Sequence, residues 1–227
     1  KDLFFGILCG IVTVPVGCFV SGIMCNLPIL QILIDLLPLI IISGIISLGL
    51  ILVPKICIKF FCIFGIFMRM LSILGIGFAI FTFLTKIQIS PHFDTLENAA
   101  FICVNACVTL SGALPFMYVA SKILNKPMNK LGSKIGIDST SAVCFLSTMV
   151  TNAPTFGVME KMNQKGVVLN SAFAVSAAFV FGSHLAITSV YDNSYVLPMI
   201  VGKLISGICS VILALTLYNK EKSKGLV

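Results

Sequence analysis

DSTSAVCFLSTMVTNAPTFGVME, residues 138–160, is an apolar stretch interrupted at Thr151-Asn152-Ala153-Pro154 and followed by lysines. A proline and an uncapped amide inside hydrocarbon are tolerated only where protein or a polar cavity surrounds them. Discontinuous helices of this kind form binding sites near the bilayer midplane, because broken helix ends present backbone groups to a ligand. Transport of a small solute is therefore the first function class that this stretch brings forward. An ordinary helix-proline-helix kink is the plainer alternative.

The rest of the chain agrees with a membrane setting. Hydrophobic residues make up 58% of the 227 residues, charged residues only 10%, and the mean hydropathy is +1.11. A soluble domain has a charged fraction of about 25%. Crossing the hydrocarbon core takes about 20 apolar residues. Full spans are predicted near Leu3 to Met24, Gln31 to Val53, Phe60 to Leu84, Glu97 to Ile123, Val167 to Ser189 and Val196 to Tyr218. The chain opens on Lys1 and runs straight into a span, with no signal peptide to remove, so a single transmembrane domain over 1–227 that lacks an N-terminal portion is expected. The net charge of +7 does not point to nucleic acid, because the lysines cluster in short loops between spans, where they set topology.

Counting those lysines decides how residues 138–160 sit. If the segment returns to the side it came from, twelve basic residues lie on one side, only Lys86 on the other, and Arg69 and Lys203 within spans. If it crosses fully, the division is seven against six. The excess of Lys and Arg belongs to the cytoplasm. The expected architecture is thus an all-α polytopic membrane protein of about six transmembrane helices and one re-entrant helical hairpin, with both termini cytoplasmic. The outer loops fall around Asn26, Pro91 and Asp192. The first arm, Ser139 to Val150, is long enough at 1.5 Å per residue to bring Thr151 and Asn152 to the midplane.

Several residues near that tip could carry chemistry. The first arm should end in free carbonyls from about Ser147 to Thr151, partially negative and suited to a cation. Pro154 suits the first turn of a second arm, and Asn152 could cap that arm or bind a hydroxyl. Thr155 lies on the same arm. The span opposite contains Asn170 to Phe179, whose small residues allow close approach. Ser176 is there either as a ligand or as packing, while Phe173 and Phe179 can offer a ring face to a cation. His184, after Gly182 and Ser183, is an intramembrane ionisable group and hence a functional candidate. Arg69, about ten residues into its span, should face the protein interior and needs an acceptor. Lys203 lies nearer a surface and can snorkel. Asp138 before Ser139 reads as an N-cap. The nine cysteines form no metal or disulfide spacing; Cys103 and Cys107 share a helix face but read as small packing residues. His92 and His184 lie on different elements, and no HExxH or GxSxG occurs, so enzymatic chemistry lacks its parts. No cofactor is called for.

At Gly6 to Gly17 (GILCGIVTVPVG), Thr151 to Met159 (TNAPTFGVM), Ala172 to His184 (AFAVSAAFVFGSH) and Pro198 to Gly207 (PMIVGKLISG), the chain resembles the EutH family, the membrane proteins of bacterial ethanolamine-utilisation systems. Four motifs in order cover essentially the whole chain, but family members are nearly twice as long, so the likeness is to their C-terminal portion. The resemblance implies an inner-membrane permease for ethanolamine, and half of an inverted-repeat carrier. A site for that cationic amino alcohol would draw on Thr151, Asn152, Thr155, Ser176, Phe179, Ser183 and His184. The family pattern has aspartate before the histidine, where this chain has Ser183. Expected partners are ethanolamine and the lipid bilayer, with homo-oligomerisation open and no nucleic acid. The alternative is a membrane scaffold, or a partial carrier without transport activity of its own.

Overall fold

The computed structural model describes residues 2–87 and 95–223; side chains are described only to residue 220. Lys1, the loop around Pro91, His92 and Lys224, and the Lys222 side chain, lie outside this description.

Asp138 begins the decisive stretch as an N-cap. One carboxylate oxygen accepts from the Ser141 amide at 2.9 Å, and the other accepts from Ser141 Oγ at 2.7 Å. The second oxygen also accepts from the amide of Asn163 at 2.8 Å, twenty-five residues further on. Asn163 in turn donates to the Gly136 carbonyl and caps the next helix by accepting from Gly166 N. The segment therefore leaves and returns to one point, here called the foot. Between lie α5 (Ser139–Val150) and the five-residue α6 (Ala153–Gly157), followed by a single 3-10 turn. α6 folds back along α5, with Thr155 Oγ1 bonded to Thr148 Oγ1 at 2.8 Å and to the Cys144 carbonyl at 3.2 Å. Pro154 occupies the first turn of α6, as its missing N–H dictates.

Partial burial pushes the Asp138 carboxyl up, but the hydrogen bonds from the Asn163 amide and from Ser141 outweigh it and hold the group below the usual carboxylate range. A depressed folded-state pKa gives stability that is present above the unfolded value and is lost as pH falls through the folded one. Acidification below about pH 4 should therefore loosen the foot. Asp138→Ala should cost about 1 kcal/mol, the worth of an N-cap, read as a lower unfolding midpoint in detergent at neutral pH and no difference from the parent in strong acid.

Around the foot the other helices alternate in direction. α1 (Asp2–Met24) starts there and α2 (Ile29–Leu52) returns; α3 (Pro54–Thr85) leaves again and α4 (Leu96–Ile135) comes back. α7 (Gln164–Ala177) starts beside α5, and α9 (Val196–Ser223) ends beside the start of α1, with Asp2, Leu50, Pro54, Val168 and Tyr218 lining one crevice. At the far end Gly22 meets Ile32, and Ser21 Oγ donates to the Pro198 carbonyl at 2.9 Å. Among the described residues five helices, α1 to α4 and α9, are long and apolar enough to cross a membrane, and no strand occurs. The chain is an all-α, multi-pass membrane protein. α3 and α4, at 32 and 40 residues, overrun the predicted spans. The last turns of α4 carry Lys126, Lys130 and Lys134, polar enough to continue the helix outside hydrocarbon.

The core is the trio α1, α7 and α9. Because lipid tails offer helices no hydrophobic drive to associate, close van der Waals packing must do it. At the α1/α9 crossing a Cβ on Gly17 would run into the Gly202 carbonyl, and one on Gly202 into that of Gly17. Thr13 and Ser206 join the same interface, Ser206 Oγ donating to the Thr13 carbonyl at 2.9 Å. Phe145 and Phe173 pack edge to face at 5.1 Å between centroids and tie α5 to α7. Phe173 is therefore core and offers no free ring face.

Two expectations are corrected. The predicted span Val167 to Ser189 is not one helix: α7 stops at Ala177, and α8 (Ser183–Tyr191) begins after a break. Arg69 does not face the interior, since α3 has no buried residue at all. The bundle that would have enclosed it is assembled from α1, α7 and α9, and α3 touches mainly α2.

Candidate functional site

The two breaks meet. α5 ends at Val150, and the extended residues after α7 run alongside its last turn. The Phe179 amide donates to the Thr148 carbonyl at 3.1 Å, and the Phe181 amide to the Met149 carbonyl at 2.8 Å. Two unwound segments thus satisfy each other's backbone, which is the condition for irregular chain at membrane depth. This corrects the expectation of free carbonyls along the tip: Ser147 accepts from Thr151 N, and Thr148 and Met149 are taken by the second break. Val150 stays close to the chain too, its carbonyl lying where a Cβ on Gly182 would be.

Phe179 has φ of 60°, a left-handed conformation that is a strained outlier for a bulky residue. Strain of this kind persists only where the surroundings impose it, and it clusters at functional sites. Its ring meets the His184 ring edge-on at 5.6 Å between centroids. Ser183 and His184 form the first turn of α8, whose N-cap, Gly182, supplies no side-chain bond. Both are exposed on this chain.

Asn152 stands at the cap position of α6 but caps nothing, contrary to one expectation. Its Oδ1 is buried and has no partner. Asn170 Oδ1 and Ser47 Oγ are likewise buried without a protein partner; a neutral acceptor left so costs about 1–3 kcal/mol, which a donor brought to it would offset. Thr151 is half-buried at the end of α5, its Oγ1 3.4 Å from the Ala153 amide. The break thus brings together Thr151, Asn152, Phe179, Ser183 and His184 in adjoining segments. Thr155 and Ser176 are elsewhere. Thr155 is fully buried against α5, and Ser176 bonds the Gly10 carbonyl and Thr13 Oγ1 in the α1/α7 interface. Phe179 was a named candidate, but sequence reasoning missed the helix break over Ala178 to Gly182, which contain neither proline nor asparagine; Gly182 was the one available signal.

A lateral cavity of about 370 Å³ lies between α1, α7 and α9. It suits a cation poorly. Lys203 lines it, and the hydroxyls of Ser21, Ser176 and Ser206 on its wall already bond backbone carbonyls. The two breaks themselves carry no lysine, arginine or carboxylate, although the charge of Lys203 reaches His184 at the start of α8. Around their crossing, opposed helix ends place partial negative charge at Val150 and Ala177 and partial positive charge at Ala153 and Ser183. A small solute with both a cationic donor and a hydroxyl finds complementary groups there.

Comparison with known proteins supplies the family. Residues 1–217 match the family model "EutH: Ethanolamine utilisation protein, EutH". The chain is 33% identical over 224 residues to "Probable ethanolamine permease EutH" of Listeria monocytogenes, covering 99% of this chain and 60% of that one. It is 33% identical over 245 residues to the protein of the same name in Escherichia coli, covering 97% and 60%. It is 30% identical over 219 residues to "Uncharacterized protein YxeR" of Bacillus subtilis. The chain spans about 60% of the length of these curated relatives. No solved structure matches.

Proposed function

This chain belongs to the EutH family of ethanolamine utilisation proteins, and from that premise we propose that it is a permease for ethanolamine, binding the substrate at the crossing of its two broken segments. The single observation that carries the placement is the unpartnered, buried Oδ1 of Asn152 on a segment that adjoins the one holding the strained Phe179. In this reading Asn152 Oδ1 accepts from the substrate, the Phe179 ring faces the ammonium, and Ser183 and His184 bond the hydroxyl. Thr151 closes the α5 side, while Thr155 and Ser176 act only as packing outside the crossing. With Ser183 in place of an aspartate, no carboxylate takes part, and the cation rests on neutral acceptors and helix ends. A site without a full counter-charge favours release as well as capture.

The foot end carries Lys55, Lys134, Lys161, Lys165 and Lys220. Under the positive-inside rule that end is cytoplasmic, in a bacterial inner membrane, and residues 139–157 re-enter from the cytoplasm. α5 rises about 18 Å from the foot at 1.5 Å per residue, which brings the crossing to the middle of a core about 30 Å thick.

The test is uptake of labelled ethanolamine into liposomes holding this chain, at acidic pH, where the freely permeating neutral amine is scarce. Uptake should exceed that of protein-free liposomes and saturate. Unlabelled ethanolamine should compete at least about tenfold better than propylamine, because a site that bonds a hydroxyl rejects the analogue lacking one. Uptake no greater than in protein-free liposomes overturns the proposal.

A further inference from the structure

α3 is the least supported element of the fold. None of its 32 residues is buried, and its ring- and isoleucine-rich surface is what lipid covers without cost. Arg69 is the exception. Fifteen residues from Pro54 and sixteen from Thr85, it stands about 22 Å from one end of the helix and about 24 Å from the other at 1.5 Å per residue. Neither end is within snorkelling reach, and an intramembrane charge needs a paired partner. Arg69 has no hydrogen bond or ion pair among the described residues.

One described acid lies at the same height. Asp35 is seventeen residues from Leu52, the foot end of α2, or about 26 Å above it by helix rise. α2 and α3 are joined at the foot through Val53 alone, so their heights count from a common point. Asp35 is exposed and holds only the amide of Gln31, at 2.8 Å. The other described acids, Asp2, Glu97, Asp138, Glu160, Asp192 and Glu221, sit at helix ends or in loops. The difference between seventeen and fifteen residues, about 3 Å of height, is one that the long arginine side chain covers.

We infer that the α2/α3 face is the interface with a second copy of this chain, closed by two reciprocal ion pairs, Asp35 of each copy with Arg69 of the other. A two-fold axis along the membrane normal keeps both copies in the same orientation and preserves depth, and it makes each contact occur twice. An exposed acid and an exposed base at matching height on neighbouring helices are a self-complementary pattern that such symmetry can pair twice. The inference does not depend on the transport proposal.

The full chain, labelled with donor or acceptor dye and reconstituted at low protein-to-lipid ratio, tests this by Förster transfer. The parent should show transfer well above the random-proximity level. Asp35→Arg alone and Arg69→Asp alone should each fall to that level, since like charges then face each other twice. An equimolar mixture of the two variants should recover at least half of the parental transfer, because both pairs are complementary again in the mixed dimer. The neutral double variant Asp35→Asn with Arg69→Gln, which asks little of insertion, should also lose transfer. Parental transfer in that double variant, a parent at the random level, or a mixture no better than either variant alone would overturn the inference. The last of these points to pairing within one chain, or to a different partner helix.

Discussion

Gly182→Val should abolish ethanolamine uptake and lower the unfolding midpoint in detergent. The backbone at Gly182 turns α8 away from the break while passing directly over the end of α5, and the first Cβ atom would collide with the Val150 carbonyl oxygen. A carbonyl at a helix end cannot yield as a flexible side chain does. Overpacking of a tight contact costs about 1–3 kcal/mol, and here the relief available is to part the two breaks. Parting them would strip the Phe179 and Phe181 amides of the Thr148 and Met149 carbonyls. Two unpaired backbone groups in a dry setting cost several kcal/mol more. Gly182→Ala should lie between, with uptake down about tenfold. Gly157→Ala is the control, because nothing stands within 4 Å of its added Cβ; its uptake should stay within about twofold. Parental uptake by Gly182→Val would show that the crossing is not the site.

How much of this was legible in the sequence follows from where the backbone advertises its own departures. Thr151-Asn152-Ala153-Pro154 announces a break through proline and asparagine, the lysine count led to the expectation of a return to one side, and the bond between Asp138 and Asn163 shows the two ends of the segment meeting. Asp138 as an N-cap was readable from the dipeptide Asp138-Ser139, and the bond from Asp138 to Asn163 makes it the closure of the foot as well. The second break was not legible. Ala178 to Phe181 is an apolar run that any helix accepts, and it unwinds because α5 presents carbonyls at that height. That is a tertiary cause, invisible in a local window. The same holds for Thr155 and Ser176. Their type suited a polar site, but helix rotation turned both into packing faces where their hydroxyls bond within the protein. Arg69 was read wrongly as enclosed, because sequence shows depth along a helix and not which helices will cover it.

The second large effect concerns Asn152, and its sign separates function from structure. A buried residue that holds the fold together loses stability when truncated. Asn152 Oδ1 instead has no partner in the resting protein, so removing it relieves a desolvation cost of about 1–3 kcal/mol. Asn152→Leu should therefore unfold at the parental temperature or above it. Uptake should nevertheless fall at least tenfold, since a hydrogen bond from a charged donor is worth about 1.5–3 kcal/mol and each 1.4 kcal/mol is a factor of ten. The shift in unfolding midpoint that saturating ethanolamine produces in the parent, through binding to the folded state alone, should vanish in the variant. Measuring all three quantities on one preparation leaves little room for a structural explanation. If stability and uptake fell together, Asn152 would be a packing residue and the crossing a kink held by it. If uptake stayed parental, the ligand would lie elsewhere, and the strain at Phe179 would need another account. Opposite signs in stability and uptake are what an acceptor kept dry for a missing donor produces. This is the usual exchange of stability for activity at a preorganised site.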